Sequence, residues 1–433
     1  MKRIVGWCMT SILLLAIGCE AEPEIKRQPQ EITVLLAETT NNPAGQQITA
    51  WLDQSKTWFE SQYQSKAVRF VRVPLQDYDR KVTELKPDVV VQSYASWTDY
   101  RSKGLLMDLT PLAKNAGMNL NDYYPESLTR WLASGSKLYG IPVAAAPYVV
   151  VGYSKTWFDR ANLAYPKDNW TWEDFAETAK KLKAAHAPTM DDPAISGAVI
   201  GPHYSIIEAM AMSKGGSLYS TDAKTANGFL NGKPVVESMQ WIKDLSVVQK
   251  ITPPLSAPQA AYQVSTLGKS TGMLIQGVSA FEALRNDPQA GPQIGIVGLP
   301  HFKDGRRVSN LGNLGFIGIS STSRSPELAW EYIRSLTMDD TEVSRQAFAL
   351  QASVSLVVAK ALRADQDPFV SVWMNELKYA EPSVYLKVPQ WNTLSNDYMT
   401  NEFTRLALGD FDLEQGLTRL AETTDRKLAE AQP

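Results

Sequence analysis

Cysteine is almost missing from this chain. The 433 residues contain two, Cys8 and Cys19, and both lie near the N-terminus. The sequence after residue 19 therefore has no thiol, which excludes disulfide bonds, cysteine-bound metals and thiol catalysis in that part.

Histidine is scarce, and recognisable catalytic motifs are missing. His186, His203 and His301 are scattered, with no carboxylate at metal-ligand spacing. The glycine-bearing stretches "GVSAFEAL" and "GNLGFIG" lack the Lys-Ser/Thr pair of a phosphate loop, and no serine lies in a G-x-S-x-G elbow. A carboxylate pair that cleaves glycosides stays open as an alternative, because 46 acidic residues are present. The sequence predicts no cofactor and no metal.

Neither sign of charge dominates. The chain has 43 Lys plus Arg against 46 Asp plus Glu, and it contains no long basic run. Nucleic acid is therefore not an expected partner.

Long apolar runs are also lacking. The run from Ile4 to Gly18 follows Lys2 and Arg3, and it is shorter than the ~20 apolar residues that a membrane-spanning helix needs. A basic start, a short apolar run and small residues before Cys19 are typical of a secretory signal.

The end of this signal, "LAIGCE", resembles a bacterial lipobox. The resemblance implies that residues 1–18 are a lipoprotein signal peptide and that Cys19 becomes the lipidated first residue, anchoring an extracytoplasmic protein to the cell membrane. Ala16 departs from the commoner leucine at that position, and a plain secretory signal is the alternative. Residues 19–30 are polar and contain proline, which predicts a tether.

After the tether, short β-branched runs alternate with helical patterns. Strands are predicted at 32–36, 67–73, 88–93, 197–201, 272–277, 294–299 and 314–320. The best-supported helix covers 48–62, because its apolar residues recur at spacings near 3.6, which makes them its core face: Ile48, Trp51, Leu52, Trp58 and Phe59. The alternation predicts an α/β fold with mostly parallel sheets flanked by helices, and the length favours two lobes.

Helix ends give further predictions. Thr171 is a predicted N-cap that Asp174 supports, and Ser325 is a predicted N-cap before Pro326. Residues 395–430 predict two helices broken at Gly409.

Aromatic residues are abundant where they are poor core candidates. Trp97 follows the strand "DVVVQS", Tyr148 follows Pro142, and Trp391 lies in "KVPQWNTLSND". Ligands of open α/β sheets bind at the carboxyl ends of the strands, so these aromatics are candidates for stacking on a ligand. Ordinary local packing is the alternative for each.

Several stretches in the same order are similar to the extracellular solute-binding proteins of carbohydrate ABC importers, family 1, the maltose-binding-like group. They run from about residue 32 to 337, with a weaker helical tail, and comprise "KPDVVVQSYASW", "YRSKGLLMDLTPLAKNAG", "GSKLYGIPVAAAPYVVVGYSKTWFDRANL", "NWTWEDFAETAKKL", "GMLIQGVSAFEAL", "IGIVGLPHFKDGRR" and "LGFIGISSTSRSPELAWEYIRSL".

This resemblance implies the two-lobe periplasmic-binding-protein fold, or Venus flytrap, with lobes discontinuous in sequence. Lobe 1 would comprise 31–143 plus 297–336, and lobe 2 would comprise 147–296 plus 337–433. The implied partners are a small-molecule carbohydrate and the permease subunits of an ABC transporter, and the implied oligomeric state is a monomer.

The resemblance also implies ligand-binding positions in loops that face the cleft, rich in amides, hydroxyls and aromatic rings: Thr39, Thr40, Asn42, Tyr94, Ser96, Trp97, Tyr148, Gln276, Ser279, Gly312, Asn313 and Trp391. Such side chains pair with sugar hydroxyls and stack on sugar C–H faces. Ser279 departs from the tryptophan of many relatives, and Thr39 and Thr40 replace charged or amide residues, so the sugar is not defined.

Two other functions stay open at this point. One is a lipid-anchored enzyme that acts on glycans. The other keeps the fold and binds a peptide, an amino acid or a charged solute, and a sensor role is not separable from transport by sequence.

Overall fold

The computed structural model describes residues 30–38, 43–126, 128–129, 133–147, 149–222, 224–285, 287–350, 353–387, 394, 396–409 and 412–430. The predicted signal peptide, Cys19 and the tether up to residue 29 lie outside these ranges.

The chain forms an α/β fold. Its strands are β1 (Gln30–Ala37), β2 (Lys66–Val73), β3 (Val89–Ser93), β4 (Ala133–Ser134), β5 (Lys137–Leu138), β6 (Ile141–Pro147), β7 (Val150–Ser154), β8 (Ser196–Val199), β9 (Thr271–Gln276), β10 (Ile294–Val297), β11 (Ser309–Ile319) and β12 (Ala380–Pro382).

Sixteen α-helices are described along the chain. They are α1 (Pro43–Gln62), α2 (Tyr78–Leu85), α3 (Tyr94–Ser102), α4 (Thr110–Asn115), α5 (Lys155–Arg160), α6 (Trp172–His186), α7 (Tyr204–Ser213), α8 (Lys233–Val247), α9 (Val278–Arg285), α10 (Pro326–Thr337), α11 (Glu342–Ala349), α12 (Leu356–Ala361), α13 (Pro368–Glu376), α14 (Val384–Lys387), α15 (Asn396–Leu408) and α16 (Leu413–Glu430).

Two sheets define two lobes. Lobe 1 contains a six-stranded sheet in the order β12-β11-β3-β1-β2, with β6 also paired to β11. Lobe 2 contains a four-stranded sheet in the order β10-β7-β9-β8. Each sheet has its own cluster of buried apolar side chains, and the lobe 1 cluster extends onto lobe 2 through buried residues of all four lobe 2 strands, among them Val150, Val199, Leu274 and Ile294.

Both sheets are mixed: three of the five strand pairings in lobe 1 are parallel, as predicted for a mostly parallel sheet, whereas lobe 2 has one parallel pairing among three. In lobe 1, β1 runs parallel to β2 and β3, whereas β11 runs antiparallel to β3 and β6. In lobe 2, β8 and β9 are parallel, but β7 is antiparallel to β9 and β10. The antiparallel strands β6, β7, β10 and β11 adjoin the passages between lobes, where the chain enters a sheet without a preceding crossover helix.

The strongest helix prediction is confirmed. The predicted helix 48–62 lies within α1, where Trp51 and Phe59 are buried in the lobe 1 cluster. The rest of its predicted core face, Ile48, Leu52 and Trp58, packs against the same cluster. At the C-terminus, two helices separated near Gly409 are found as predicted, namely α15 and α16.

The predicted cap of α6 is present in full. The Thr171 hydroxyl accepts from the Asp174 backbone N–H at 3.2 Å, and the Asp174 carboxylate accepts from the Thr171 backbone N–H at 2.9 Å. Ser325 precedes α10 and Pro326 begins it, as predicted, but the Ser325 hydroxyl makes no capping bond.

We expect Thr171→Ala to lower the free energy of unfolding by about 1 kcal/mol, because the Asp174 backbone N–H loses its side-chain acceptor. Urea titration measures this change. Thr171→Ser keeps the hydroxyl and is the matched control, so an equal loss in both variants would contradict the capping explanation.

The lobe boundaries differ from the predicted ones. All of β6 to Pro147 pairs with β11 in lobe 1, and residues 299–302 still pack in the lobe 2 core through Leu299 and Phe302. The first passage between the lobes therefore lies between β6 and β7, after Pro147, and the second lies between Phe302 and the start of β11 at Ser309.

The largest difference concerns helices α11 to α13, predicted in lobe 2. Val343 and Phe348 of α11 belong to the lobe 1 cluster, the Trp51 indole N–H of α1 donates to the Val343 carbonyl at 2.9 Å, and β12, which follows α13, pairs with β11 in the lobe 1 sheet. The third passage between lobes therefore lies after β12, near residue 383, and not at 337. Amphipathic helices reveal a buried face but not which lobe they cover.

Among the described residues, no helix combines the length and apolarity needed to cross a bilayer.

Candidate functional site

Parallel strands of both lobes end beside the passages between them. In lobe 1, β1 and β3 are parallel and β3 leads directly into α3. In lobe 2, β8 and β9 are parallel and lead toward α7 and α9. The carboxyl ends of such strands form the binding edge of open α/β sheets, so we place the candidate site there.

Several predicted ligand-binding residues lie outside the described ranges, or only their backbone is described. Thr39, Thr40, Asn42, Tyr148 and Trp391 are outside. The backbone alone is described for Tyr94 and Ser279, which lie in the first turns of α3 and α9, and for Gly312 and Asn313, which lie in β11. These positions stay predictions.

Trp97 is a correction to the predicted site. Its side chain is 0% exposed within the lobe 1 cluster, and its ring lies 5.3 Å from that of Phe316. Gly140 and Gly318 make room for the indole, because a Cβ atom on either would lie 2.2 or 2.4 Å from its ring carbons. A ring enclosed in this way has no face left for a ligand. Ser96, its neighbour on α3, is half-buried.

Gln276 ends β9 and is half-buried at the lobe 2 edge. Its side-chain amide donates to the Tyr262 carbonyl at 3.1 Å, which fixes the amide orientation. The Tyr262 ring lies against Gly201, where an added Cβ would lie 3.2 Å from it, and the Tyr262 hydroxyl donates to the Pro254 carbonyl. Burial raises the pKa of Tyr262. Gln276 is thus held in place by the segment before β9, which itself packs against the loop after β8.

The first passage and β11 lie side by side. In the antiparallel register of β6 and β11, Leu311 faces Pro147 and Asn313 faces Ala146. The register shifts on both sides of Asn313, and such bulges re-aim side chains at sheet rims. The predicted positions Gly312 and Asn313 therefore lie next to Ala146 and Pro147, where the first passage begins.

His203, one of the three histidines without metal-ligand spacing, also lies at this edge. It caps α7, where its Nδ1 accepts from the Ser205 backbone N–H at 3.3 Å, so the ring proton is assigned to Nε2. The ring is half-buried, and Asn310 of β11 donates to the Ser205 carbonyl at 2.8 Å, which brings this turn to the passage. Pro202 and His203 directly follow the predicted strand 197–201, which is the sequence signal for this position.

A groove of about 980 Å³ also lies between the lobes. Its lining is mostly apolar and comes from α12, α13, β10 and the loop that carries Asp168. None of the predicted ligand-binding side chains that the structure describes lines it. Among the described residues, no group of three or more His, Cys, Asp or Glu side chains is arranged to hold a metal ion.

The fold and this edge define a two-lobe binding protein. Residues 39–342 match the family model of bacterial extracellular solute-binding proteins, and the chain belongs to that family.

Individual relatives are distant. An uncharacterised ABC transporter extracellular-binding protein of Pyrococcus horikoshii is 25% identical over 233 residues, which are 50% of this chain, and the match spans 52% of that relative's length. The sugar-binding protein MalE of Xanthomonas citri has a similar structure, with 14% identity, coverage of 93% and 98% of the two chains, and a TM-score of 0.70. An ABC substrate-binding protein of Listeria monocytogenes in complex with cycloalternan matches with 20% identity, coverage of 93% and 99%, and a TM-score of 0.61.

Proposed function

We propose that this protein is the extracytoplasmic substrate-binding component of an ABC transporter, and that it captures a sugar or oligosaccharide between its lobes and delivers it to a membrane permease. The observation that carries the proposal is the position of the strand ends in a chain of the solute-binding family: the end of β3 lies beside β11, and the end of β9 lies beside the first residue of β7, so both adjoin passages between the lobes. A ligand that contacts both lobes favours the closed state by the difference between its affinities for the two states.

A carbohydrate ligand is supported by the chemistry at this edge. Ser96, Gln276 and the half-buried His203 offer hydrogen-bond donors and acceptors that suit hydroxyl groups. The proposed ligand-binding set is completed by Thr39, Thr40, Asn42, Tyr94, Tyr148, Ser279, Gly312, Asn313 and Trp391. The names of the Xanthomonas and Listeria proteins, which refer to a sugar and to cycloalternan, support the same ligand class.

Lipid on Cys19 is part of the proposal. An anchored binding protein stays near its permease, which raises its effective concentration there without any new contact. Mass spectrometry of the protein purified from membranes tests the lipid anchor, because we expect the mass of a diacylglyceryl group on Cys19.

The protein performs no covalent chemistry in this account. Its family consists of binding proteins, and the enzyme alternative requires a carboxylate pair that turns a glycan over.

Isothermal titration calorimetry of the mature chain against mono- and oligosaccharides tests the proposal. We expect heat of binding with at least one sugar and no released product. If no glycan binds, the carbohydrate proposal is wrong. If product forms and disappears when one acidic pair is replaced, the protein is a glycan-active enzyme.

A further inference from the structure

A carboxylate is completely buried beside the passages between the lobes. Glu208 lies in the middle of α7, in lobe 2, and its side chain is 0% exposed. Burying a carboxyl group is costly unless polar groups satisfy it. The structure provides three such groups, and all of them come from other parts of the chain.

The donors to Glu208 are specific. The Val384 backbone N–H donates to Oε1 at 2.6 Å, and the Ser383 hydroxyl donates to Oε2. The Asn310 amide approaches Oε2 at 3.4 Å while it donates to the Ser205 carbonyl at 2.8 Å, one turn earlier on α7. Burial raises the pKa of Glu208, and this effect is larger than the lowering by these donors and by nearby Lys387.

The donors to Glu208 lie at two of the passages between the lobes. Asn310 stands at the start of β11, directly after the second passage between the lobes, and Ser383 and Val384 form the third passage. These two passages are also joined to each other, since the Ser383 backbone N–H donates to the Leu311 carbonyl at 3.2 Å. One side chain of lobe 2 therefore holds two of the segments about which the lobes must turn.

A second buried carboxylate lies beside the start of the same strand. Arg307, two residues before β11, pairs with buried Glu376 of α13, while Asn310 of β11 reaches Glu208 of α7. The segment that enters β11 is therefore held by two buried carboxylates from two different helices.

We propose that Glu208 is a positioning residue for lobe closure: by fastening α7 to the second and third passages, it fixes the axis on which lobe 2 turns and so brings the ligand-binding edges of both lobes into register. This inference rests on the proposed function. Without the anchor, the lobes sample several relative orientations, and only some of them are competent to bind. Apparent affinity then falls in proportion to the competent fraction.

The test uses the lack of cysteine after residue 19. Gln54 on α1 and Lys180 on α6 are exposed on lobes 1 and 2, and cysteines at both positions accept spin labels. Pulsed electron paramagnetic resonance then gives the distribution of lobe-to-lobe distances without ligand, and calorimetry with the sugars of the panel gives the dissociation constant.

We expect Glu208→Leu to widen the distance distribution about twofold and to raise the dissociation constant about tenfold at a temperature where the chain is fully folded. Ser383→Ala, which removes one donor, should shift both readouts in the same direction and less. Because the two residues share one contact, the effect of the double variant should be smaller than the sum of the two single effects. Glu422→Leu, at an exposed glutamate of α16 in lobe 2, is the matched control and should change neither.

A loss of unfolding free energy with unchanged distances and affinity would overturn the inference and leave Glu208 a residue of the fold alone. If Glu208→Leu does not fold, Ser383→Ala decides, and wild-type values for that variant overturn the inference. If no sugar binds to the wild-type chain, the proposed function fails, whereas the distance measurement still tests the anchor.

Discussion

Replacing Arg307 with methionine is expected to lower the free energy of unfolding by about 3–5 kcal/mol, because breaking a buried ion pair from one side leaves an uncompensated charge. The Arg307 and Glu376 side chains are 6% and 1% exposed and form this pair. Arg307 also pairs with Asp168 at 3.2 Å and lies 4.3 Å from the centre of the Tyr379 ring. Urea unfolding followed by circular dichroism measures the loss.

The matched control for this prediction replaces both partners. Arg307→Met with Glu376→Leu should recover most of the stability, since well-packed apolar side chains often substitute for a buried ion pair at little cost. A single variant that loses less than about 1 kcal/mol would place the pair among exposed, weak ion pairs and contradict the account.

Replacing Trp97 with alanine should cost a similar amount, about 3–5 kcal/mol, because a large buried ring is removed and the cavity collapses only in part. The indole fills the space between Gly140 and Gly318 in lobe 1, and neither glycine carries atoms that could close the gap. Thermal or urea unfolding measures the loss, and calorimetry measures sugar affinity in the same variant.

Trp97→Phe is the matched control and should lose less, because a ring still fills part of the space. The account predicts that stability falls far more than affinity in both variants. Weaker sugar binding at unchanged stability would instead show that Trp97 contacts the ligand.

Local sequence patterns predicted the elements that depend on neighbouring residues. The helix at 48–62 followed from apolar spacing, and it places Trp51 and Phe59 in a core. The Thr171 and Asp174 cap followed from two residues three apart, and both hydrogen bonds are present. These features were accessible because the interacting groups lie within one or two turns of each other.

Features that depend on distant partners were not accessible. The pattern around Trp97 could not reveal that glycines 43 and 221 positions away along the chain, Gly140 and Gly318, enclose it. Nor could "SIIEAMAMS" indicate that Glu208 meets a backbone N–H 176 residues further on. The lobe that α11 to α13 cover is likewise set by tertiary packing, since an apolar helix face is satisfied equally well by either lobe.

We expect a bound sugar to close the two lobes, and small-angle X-ray scattering measures that closure in solution. The mature chain should have a smaller radius of gyration when saturated with a sugar that binds in calorimetry, and the change should follow the same concentration dependence as the binding heat. A radius that stays constant at full saturation would contradict closure between the lobes.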